Sequence, residues 1–405
     1  MRILVHDYAG HPFQAELSRW LARHGGHSVL HLYSRDIETP RGQVTRQAEA
    51  PDDFEIEGLS VGRPLDKYGL LRRFLQEEAY AKLLGERLKA FAPDVVLAAN
   101  TPPFVLRRIL KATRKTGGAF VSWVQDIHSI AAARVLANRN PLLSQPALWL
   151  LRHVEYGTLR RSDGLVVISP DFVRELERGI VEHPNLAVIE NWASATELAA
   201  GRKPNPWSDA AGLSGKFVFL YAGTLGLKHN PSLLVDLAAA FADDPSVVIA
   251  VVSQGPGRVY LEERKRERQL PNLVLFDFQP YECFSDVMAS ADVSIVLLEP
   301  FAGTMSVPSK VYSYVLAERP ILGAIPPENL AHRLVEQEGL GVCVDATDAE
   351  AFATAAVSLR HDPERRERYA DCQRRYAEKA FAIDRIGRRF SEVLDAAVRR
   401  AQARR

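Results

Sequence analysis

Short runs of aliphatic and β-branched residues recur along this chain, and stretches with helical periodicity separate them. In the first half the runs are RILVHDY, SVLHLY, DVVLAAN, AFVSWVQD and GLVVIS. The alternation begins again after residue 196 with FVFLYAG, SVVIAVV, LVLFDF, VSIVLLEP, PILGAI and GVCVDA. Uninterrupted apolar runs are typical of parallel strands buried on both faces, and strand–helix alternation is typical of doubly wound sheets. The sequence therefore predicts two successive α/β domains.

Residues 195–216 separate the two series, and this segment is polar, poorly periodic and rich in Gly and Pro. Such a composition is typical of interdomain linkers. We therefore predict an N-terminal domain of residues 1–196 and a C-terminal domain of residues 197–385. A length of 405 residues agrees with two domains, because a single hydrophobic core seldom organises so long a chain.

The composition argues against several classes of protein. Lys and Arg total 51 and Asp and Glu total 50, whereas nucleic-acid-binding proteins usually have a basic excess. Cys283, Cys343 and Cys372 show neither disulfide nor zinc spacing, which favours a reducing compartment. The chain starts with a strand-like run instead of a signal peptide, and no window has the ~18 continuous apolar residues of a membrane span. We therefore expect a cytoplasmic protein whose contact with the inner face of the plasma membrane is at most peripheral.

Two glycine-containing turns follow predicted strands, in the positions where α/β sheets bind ligands. In the first domain, Gly10 and His11 stand between a strand and a helix, and a glycine there lets backbone N–H groups approach a ligand. In the second domain, FLYAGTLGLKHNPS contains Gly223, Gly226 and Lys228, a composition that suits a phosphate. Neither turn has the spacing of a dinucleotide fingerprint or of a P-loop, so an ordinary tight turn is an equal alternative for both.

Two further turns of the second half have residues suited to an anion. VVSQGPGRVYLEE is a third strand-to-helix turn, and it offers Gln254 as a hydrogen-bonding side chain. VPSKVYSYVLAERPIL begins with Pro308, which suits the first turn of a helix, and Ser306 or Ser309 is available as the cap. Lys310 then lies at the helix N-terminus, where N–H groups and the helix dipole attract anions. The alternative is that Lys310 is a solvated surface charge.

Five segments of the chain occur in the same order in a known enzyme family: YAGTLGLKHNP, VSQGPGRVYLE, FDFQPYE, VPSKVYSYVLAERPIL and HDPERRERYADCQRRYAEKAF. They resemble the family-4 glycosyltransferases, which are retaining enzymes with the GT-B fold. The similarity covers essentially the whole chain and is strongest from about residue 160 to 385. It is closest to the bacterial enzymes of exopolysaccharide, O-antigen and colanic acid biosynthesis.

The resemblance implies an α/β fold of two Rossmann-like domains that face each other across a cleft. A nucleotide-sugar, linked to UDP or GDP, would bind mainly to the C-terminal domain, and the acceptor would approach from the N-terminal domain. The C-terminal helix, residues 386–405, would pack back on the N-terminal domain. The implied activity is transfer of a hexosyl group to a glycan or polyprenyl-linked acceptor in bacterial cell-surface polysaccharide biosynthesis.

The turns and the resemblance together predict the residues of the site. The residues expected to bind the donor are Gly10, His11, Gly223, Thr224, Leu225, Gly226, Gln254, Gly255, Phe278, Gln279, Ser306, Val307, Pro308, Ser309 and Lys310. Lys228 is expected to neutralise the diphosphate, His128 to contact the sugar, and Asp126 to orient His128 or bind the acceptor. An unassigned histidine is more often structural, and only the likeness of SWVQDIHSIA to the family favours a catalytic role for His128.

The sequence departs from the family at three positions. The family commonly has two glutamates around the fourth turn, and this chain has Met305 and Ser313 in their places. Whether their absence reduces activity is left open by the sequence. Glu318 stands where a glycine usually ends the helix, so a left-handed cap there is expected to be strained.

No cofactor and no metal ion is expected. Two lysines can neutralise a leaving diphosphate, and no DxD-like carboxylate pair lies in a suitable turn. Residues 144–161 form a basic, aromatic segment that could rest on an anionic membrane, although a domain helix with an apolar core face is the simpler interpretation. Two other functions suit the fold: a nucleotide-sugar epimerase, which would lack the PSK-type fourth turn, and a non-catalytic nucleotide-sugar-binding scaffold, which the missing glutamates would permit.

Overall fold

The computed structural model describes residues 1–37, 53–65, 69–136, 141–179, 183–194, 198, 201–226, 228–305 and 307–404. The chain forms two compact units: unit 1 comprises Met1–Glu190 and Ile383–Arg405, and unit 2 comprises Asn191–Ala382. Each unit is built around a parallel sheet with helices between its strands. The prediction of two Rossmann-like α/β domains is confirmed.

Among the described residues, unit 1 contains a seven-stranded sheet in which all neighbouring strands are parallel. Its strands are β1 (Arg2–Asp7), β2 (Ser28–Ser34), β3 (Phe54–Leu59), β4 (Val95–Ala99), β5 (Ala119–Val124), β6 (Gly164–Val167) and β7 (Leu186–Val188). Their order in space is β3-β2-β1-β4-β5-β6-β7, so the direction of winding reverses between β1 and β4. Ligands of doubly wound sheets bind beyond the carboxyl ends of the strands at such a reversal.

The first helix of unit 1 shows how local sequence fixes the elements. The helices between the strands are α1 (Pro12–Gly25), α2 (Leu70–Phe91), α3 (Pro103–Lys115), α4 (His128–Leu136), α5 (Pro141–Arg160) and α6 (Pro170–Glu177). Pro12 occupies the first helical position of α1, where its missing N–H is not needed. Gly26 ends the helix in the left-handed region, with φ 58°. His11 is consequently held at the helix start, at the carboxyl edge of the sheet.

In the described part of unit 2, a six-stranded parallel sheet has the order β10-β9-β8-β11-β12-β13. Its strands are β8 (Phe217–Ala222), β9 (Val247–Val252), β10 (Leu273–Phe276), β11 (Val293–Leu297), β12 (Ile321–Ala324) and β13 (Gly341–Val344). Its helices are α7 (Pro206–Ala210), α8 (Ser232–Ala240), α9 (Pro256–Glu267), α10 (Phe284–Ala289), α11 (Lys310–Leu316), α12 (Leu330–Gln337), α13 (Ala349–His361) and α14 (Pro363–Ala380). The winding reverses between β8 and β11, so the turns after these two strands meet at one edge.

Part of the segment that the sequence predicts as a linker is folded into unit 2. Helix α7 begins with a capping box at Asn205, whose side chain accepts from Ser208 N–H. Trp207 is buried, and its ring lies 5.2 Å from the ring of Phe276. The prediction of a linker is therefore wrong for residues 205–216, because one buried tryptophan and a capped helix anchor a composition that is otherwise typical of loops.

The C-terminal helix α15 (Ile383–Ala403) is part of unit 1. Its residue Asp384 accepts a hydrogen bond of 2.7 Å from the indole of Trp20. Phe390 is fully buried, and its ring lies 4.7 Å from that of Trp123 in β5. The apolar face of α15 thus covers the unit 1 sheet, which is the position that the resemblance implies. No helix among the described residues is long and apolar enough to cross a lipid bilayer.

Helix α11 ends in a left-handed glutamate, as the sequence predicts. Glu318 has φ 55°, and its N–H donates to Val315 O at 3.0 Å. Arg319 N–H donates to Tyr314 O at 3.1 Å, which completes a Schellman motif. The Glu318 carboxylate accepts hydrogen bonds of 3.0 and 2.7 Å from Arg374 in α14. This ion pair ties the strained cap to the neighbouring helix.

Candidate active site

The carboxyl edge of the unit 2 sheet holds a buried ammonium group on an aromatic ring. Lys310 is the first residue of α11, and Tyr221 belongs to the central strand β8. The Lys310 Nζ atom lies 3.6 Å from the centroid of the Tyr221 ring. Nζ is buried and makes no hydrogen bond within the part of the chain that the structure describes. A cation–π contact offsets only part of the free energy needed to remove an ammonium group from water.

Burial lowers the pKa of Lys310 from its ordinary value of 10.5 to about 7. None of the described carboxylates offsets this effect. An anionic ligand in contact with Nζ would supply the missing negative charge and favour the protonated form. The interpretation of Lys310 as a solvated surface charge is therefore wrong for its ammonium group, although part of the side chain is exposed.

Gly223 provides the space that the Lys310 ammonium group occupies. A Cβ atom on Gly223 would lie 3.3 Å from Lys310 Nζ and 3.4 Å from Cε. Gly223 also has φ 130°, which disfavours any other residue. Next to it, Ala222 N–H donates a hydrogen bond of 2.9 Å to the hydroxyl of Tyr314 from α11. Helix α11 and the end of β8 are thus fixed to each other around Lys310.

The imidazole of His229 is affected by the charges of both candidate lysines. Its ring centroid lies 6.2 Å from that of Tyr221, at an interplanar angle of 76°. Burial is the main reason that the pKa of His229 falls to about 3, and the positive charges of Lys310 and Lys228 lower it further. Both ammonium charges are therefore close enough to the imidazole to lower its pKa. A doubly charged diphosphate in the same region would be attracted by both charges.

The glycine turn after β8 uses most of its backbone donors internally. Within unit 2, Gly223 N–H donates to Val252 O at 3.0 Å, Leu225 N–H to Gln254 O at 3.1 Å, and Gly226 N–H to His229 Nδ1 at 3.1 Å. The Leu225 side chain is fully buried, whereas Thr224 is exposed. The prediction that freed backbone N–H groups bind phosphate here is therefore wrong for these three donors. The positive charge of the edge comes from side chains.

The glycine turn after β9 packs against the glycine turn after β8. Gly255 has φ 108°, and a Cβ atom there would lie 3.0 Å from Leu225 O. Gly257 N–H donates to that same oxygen at 3.0 Å. Gln254 has an exposed side chain, so its amide is accessible at this edge. The glycine at 255 is therefore needed for the close packing of the two turns, which is a sufficient structural reason for its presence.

Phe278 and Gln279 follow β10, further along the same sheet. Both are partly exposed. The Gln279 side chain accepts a hydrogen bond of 2.9 Å from the Trp207 indole and donates one of 2.9 Å to Asp277 O. Gln279 is thus already fixed by protein groups, and Trp207 is a neighbour that the sequence analysis did not anticipate.

The fourth turn is only partly described. Ser306 lies outside the described residues. Val307 is half-buried and Pro308 is buried, while Ser309 is exposed at the start of α11 and makes no side-chain capping hydrogen bond. Of the two candidate caps, Ser309 therefore does not cap the helix in this structure, and it is exposed to solvent. Ser313 is half-buried on α11.

At the carboxyl edge of unit 1, Gly10 and His11 form the turn after β1. Gly10 has φ 78°. The fully buried carboxylate of Asp7 accepts hydrogen bonds from the His11 backbone N–H and, at 3.1 Å, from Ala9 N–H. Its other contact is with His11 Nδ1, at 3.3 Å. Burial would lower the pKa of His11, but the negative charge of Asp7 outweighs it and raises that pKa.

A second histidine–carboxylate pair lies at the same edge. Glu155 of α5 is buried and accepts hydrogen bonds of 2.8 Å from His128 N–H and 2.9 Å from Ser129 N–H, so it caps α4. His128 Nδ1 lies 3.5 Å from the same carboxylate. Burial opposes protonation of His128, but the Glu155 carboxylate prevails and raises its pKa. Glu155 therefore fixes both the position and the charge of His128.

Asp126 and His128 line a small recess of about 20 Å³ beyond β4 and β5, together with Asn100, Gln125 and Glu155. The Asp126 carboxylate raises the pKa of both His11 and His128, so the two pairs are electrostatic neighbours. Asn100 has φ 46°, a left-handed conformation that is uncommon outside glycine and recurs at functional sites. Within the described ranges, no three His, Cys, Asp or Glu side chains are placed to hold a metal ion.

Sequence reasoning missed several residues of these edges. They are Asp7, Glu155, Tyr221 and His229. His229 stands in the quoted turn next to Lys228 and could have been found there. Glu155 could not, because it is 27 residues from His128 and reaches it only through the packing of α5 on α4.

Comparison with known proteins bears on both units. Residues 10–192 match a family model described as a glycosyl transferase 4-like domain. The chain is 26% identical over 293 residues to the probable glycosyltransferase WbjE of Pseudomonas aeruginosa. The matched region covers 71% of this chain and 72% of WbjE. It is 23% identical over 412 residues to the putative colanic acid biosynthesis glycosyl transferase WcaI of Escherichia coli (strain K12). The matched region covers 96% of this chain and 98% of WcaI.

Solved structures share the architecture at low sequence identity. Sucrose-phosphate synthase from Thermosynechococcus elongatus matches with a TM-score of 0.74 and 14% identity over 97% of this chain and 98% of its own. HepE from Anabaena, crystallised with UDP-glucose, matches with a TM-score of 0.68 and 15% identity over 98% and 100%. At such identities the likeness concerns the fold, which is GT-B.

Proposed function

We propose that this chain, which has the GT-B fold and whose residues 10–192 match a glycosyl transferase 4-like domain, transfers a hexosyl group from a UDP- or GDP-linked sugar to a glycan acceptor, with retention of configuration. The acceptor belongs to a cell-surface polysaccharide. The likeness to WcaI over nearly the whole length of both chains supports this assignment to polysaccharide biosynthesis.

The observation that carries the proposal is the buried ammonium group of Lys310. Its Nζ atom is inaccessible, lies on the Tyr221 ring, and has no hydrogen-bond acceptor among the described residues. Lys228 acts on the same His229 imidazole. A protein that holds an uncompensated cation at a ligand-binding edge loses stability in the free state, and an anionic ligand restores it. A diphosphate at this position would supply the negative charge that the Lys310 ammonium group lacks, and the charge of Lys228 would add to its attraction.

The chemistry follows from the charge that develops during transfer. When the bond between the anomeric carbon and the phosphate oxygen breaks, negative charge accumulates on the leaving diphosphate. Lys310 and Lys228 stabilise that charge. The acceptor hydroxyl forms the new bond to the anomeric carbon on the face that the diphosphate leaves, and its proton passes to a diphosphate oxygen. This step needs neither a metal ion nor a carboxylate nucleophile.

Unit 1 supplies groups for the transferred sugar and for the acceptor in this proposal. The Glu155 carboxylate holds the His128 ring by contact with Nδ1, so Nε2 is the nitrogen that remains for a sugar hydroxyl. Asp126 lines the same recess and can accept a hydrogen bond from a hydroxyl. Carbohydrate sites commonly combine such donors and acceptors, because each hydroxyl does both.

The exposed apolar residues of α5 support a lipid-linked acceptor and peripheral membrane contact. Leu142, Trp149 and Leu150 are 84%, 68% and 46% exposed. Residues 141–151, PLLSQPALWLL, contain no charge, and Arg152 follows them directly. Apolar and aromatic side chains beside a cation are typical of surfaces that insert into the headgroup region of a membrane.

Calorimetric titration of the whole protein with UDP, GDP, UDP-glucose and GDP-mannose tests the donor site. We expect one of the nucleotides to bind without added metal, and Lys310→Met and Lys228→Ala to weaken it by about 10-fold or more each, because each loses a charge-assisted contact. Lys379→Met, at an exposed site on α14, is the matched control. Equal affinity of Lys310→Met and wild type would overturn the proposal.

Product analysis separates the alternative functions. A glycosyltransferase releases free nucleoside diphosphate slowly from its donor and faster with acceptor. An epimerase would convert the donor to an isomer without releasing nucleotide. A scaffold would bind the donor and leave it intact.

A further inference from the structure

The imidazole of His229 follows Lys228 in the chain and has the same aromatic neighbour, Tyr221, as the Lys310 ammonium group. We propose that His229 donates a hydrogen bond from Nε2–H to the bound diphosphate, as a neutral third ligand beside Lys228 and Lys310. This inference rests on the proposed function and adds a ligand to its donor site.

The structure fixes which nitrogen carries the proton. Gly226 N–H donates a hydrogen bond of 3.1 Å to His229 Nδ1, and His229 N–H donates one of 3.2 Å to Gly226 O. A ring nitrogen that accepts a hydrogen bond carries no hydrogen, so the single proton of the neutral imidazole is on Nε2. The tight turn from Gly226 to His229 therefore presents Nε2 as a donor. Nε2 makes no hydrogen bond to any group in the described part of the chain.

The position of the ring relates it to the anion site. Its centroid lies 6.2 Å from that of Tyr221, and Lys310 Nζ lies 3.6 Å from the same Tyr221 centroid. Lys228 directly precedes His229 in the chain. The half-buried imidazole and the Lys310 ammonium group thus adjoin the same aromatic ring, which is where the proposal places the anion.

The charge state of the ring suits a site that already has two cations. A protonated imidazole would be repelled by both lysines, and burial together with that repulsion keeps the pKa of His229 at about 3. The ring therefore stays neutral at physiological pH. A neutral donor adds a hydrogen bond to phosphate without increasing the repulsion in the ligand-free site.

The backbone donors of this turn are largely used within unit 2, which leaves side chains to bind an anion. The N–H groups of Gly223, Leu225 and Gly226 are already donated to other groups of unit 2. The last of these bonds goes to His229 itself. Gly226 N–H is thus used by His229 Nδ1, whereas His229 Nε2–H remains as a donor that lies further from the backbone.

Two amide variants separate the roles of the two nitrogens, because each amide reaches the position of only one of them. In His229→Asn the amide oxygen can accept from Gly226 N–H, as Nδ1 does, but no group replaces Nε2–H. In His229→Gln the amide reaches the position of Nε2, but the bond from Gly226 is lost. His361→Asn, at an exposed position in the last turn of α13, is the matched control.

Calorimetric titration of the full chain with UDP, GDP and inorganic pyrophosphate measures the effect. We expect His229→Asn to keep the melting temperature of the wild type but to bind about 10-fold more weakly, as the loss of a hydrogen bond to a charged group predicts. We expect His229→Gln to recover most of the affinity while melting about 2–4 °C lower. His361→Asn should bind like the wild type.

Two results would overturn the inference, and they are distinguishable. If the wild type binds a nucleotide and His229→Asn binds it equally well, Nε2 is not a ligand, and the proposed donor site stands. If the wild type binds none of the three probes, the donor site itself is wrong, and the role of His229 falls with it.

Discussion

The ammonium nitrogen of Lys310 and the aromatic ring of Tyr221 are 3.6 Å apart, and this contact replaces hydration of a buried charge. Such a contact is weaker than the hydration that it replaces. The ligand-free site therefore destabilises unit 2. Such a local loss of stability is frequent at functional sites.

We predict that Lys310→Met raises the stability of the ligand-free protein at pH 7, by about 1–3 kcal/mol. The folded-state pKa of Lys310 is about 7, below its ordinary value of 10.5. The unfolded chain therefore binds the Lys310 proton more tightly, and the unfolding free energy of the wild type rises with pH between those values. The advantage of Lys310→Met should be complete below pH 7 and vanish near pH 10.5. Thermal unfolding from pH 6 to 10 measures it, with Lys379→Met as control. A destabilised Lys310→Met protein would contradict the prediction.

The anion site shows what sequence could and could not reveal. Helix and strand periodicity predict Lys310 and Lys228 at one edge of a sheet, which makes them candidates for anion binding. The use of the turn donors could not be identified, since Leu225 bonds to Gln254, which belongs to another turn. Such a bond depends on how two loops meet. The predicted binding of phosphate by backbone N–H groups is therefore the part of the candidate site in which the structure differs most from the prediction.

Strand β3 is an element of the fold that the sequence pattern does not predict. Its sequence FEIEGL alternates apolar and acidic residues, and it lies at the edge of the unit 1 sheet. Its acidic residues, Glu55 and Glu57, form ion pairs with Arg87 of α2. An edge strand is half exposed and lacks the continuous apolar run that identifies the central strands. The central strands were accordingly predicted, whereas β3 and the short β7 were not.

We predict that Glu155→Gln lowers the pKa of His128 below its ordinary value of 6.5. The Glu155 carboxylate raises that pKa against burial, and a neutral amide leaves burial as the main influence. Glutamine can still accept one of the two α4 backbone N–H groups. Heteronuclear NMR of the imidazole resonances from pH 4 to 9 measures the change, and the absence of the His128 signal in His128→Gln assigns it. An unchanged midpoint would show that Glu155 does not control the charge of His128.

The same pair predicts a pH-dependent difference in stability. The pKa of Glu155 is lowered in the folded state, so its contribution is present above pH 4.5 and is lost as pH falls through that lower pKa. The pKa of His128 is raised, so its contribution is complete below pH 6.5 and is lost as pH rises through the raised value. The wild type should therefore exceed Glu155→Gln in stability most between about pH 4.5 and 6.5, by about 1–3 kcal/mol. A difference that does not vary with pH would contradict this.

We predict that Glu318→Gly is more stable than Glu318→Ala by about 1 kcal/mol. Both variants lose the ion pair with Arg374, but only glycine relieves the left-handed conformation at φ 55°. The difference in stability between the two variants therefore measures the free-energy cost of the left-handed backbone conformation alone. Thermal or urea unfolding measures it, and Arg374→Ala, which removes the ion pair without changing the cap, reports the remaining contribution. Equal stability of the two Glu318 variants would mean that this cap is not strained.

We predict that Trp149→Ser with Leu150→Ser weakens binding to anionic vesicles without unfolding the protein. Both side chains are largely exposed, so their loss leaves the core unchanged, while burial in lipid would stabilise each by about 1.5–3 kcal/mol. Co-sedimentation with phosphatidylglycerol-containing vesicles should show a decrease of at least about 10-fold. Val259→Ser, 56% exposed on α9 of unit 2, is the matched control. Partition that is equal for all proteins would contradict membrane contact through α5. A wild type that forms dimers in solution, while the double variant is monomeric, would instead assign this surface to self-association.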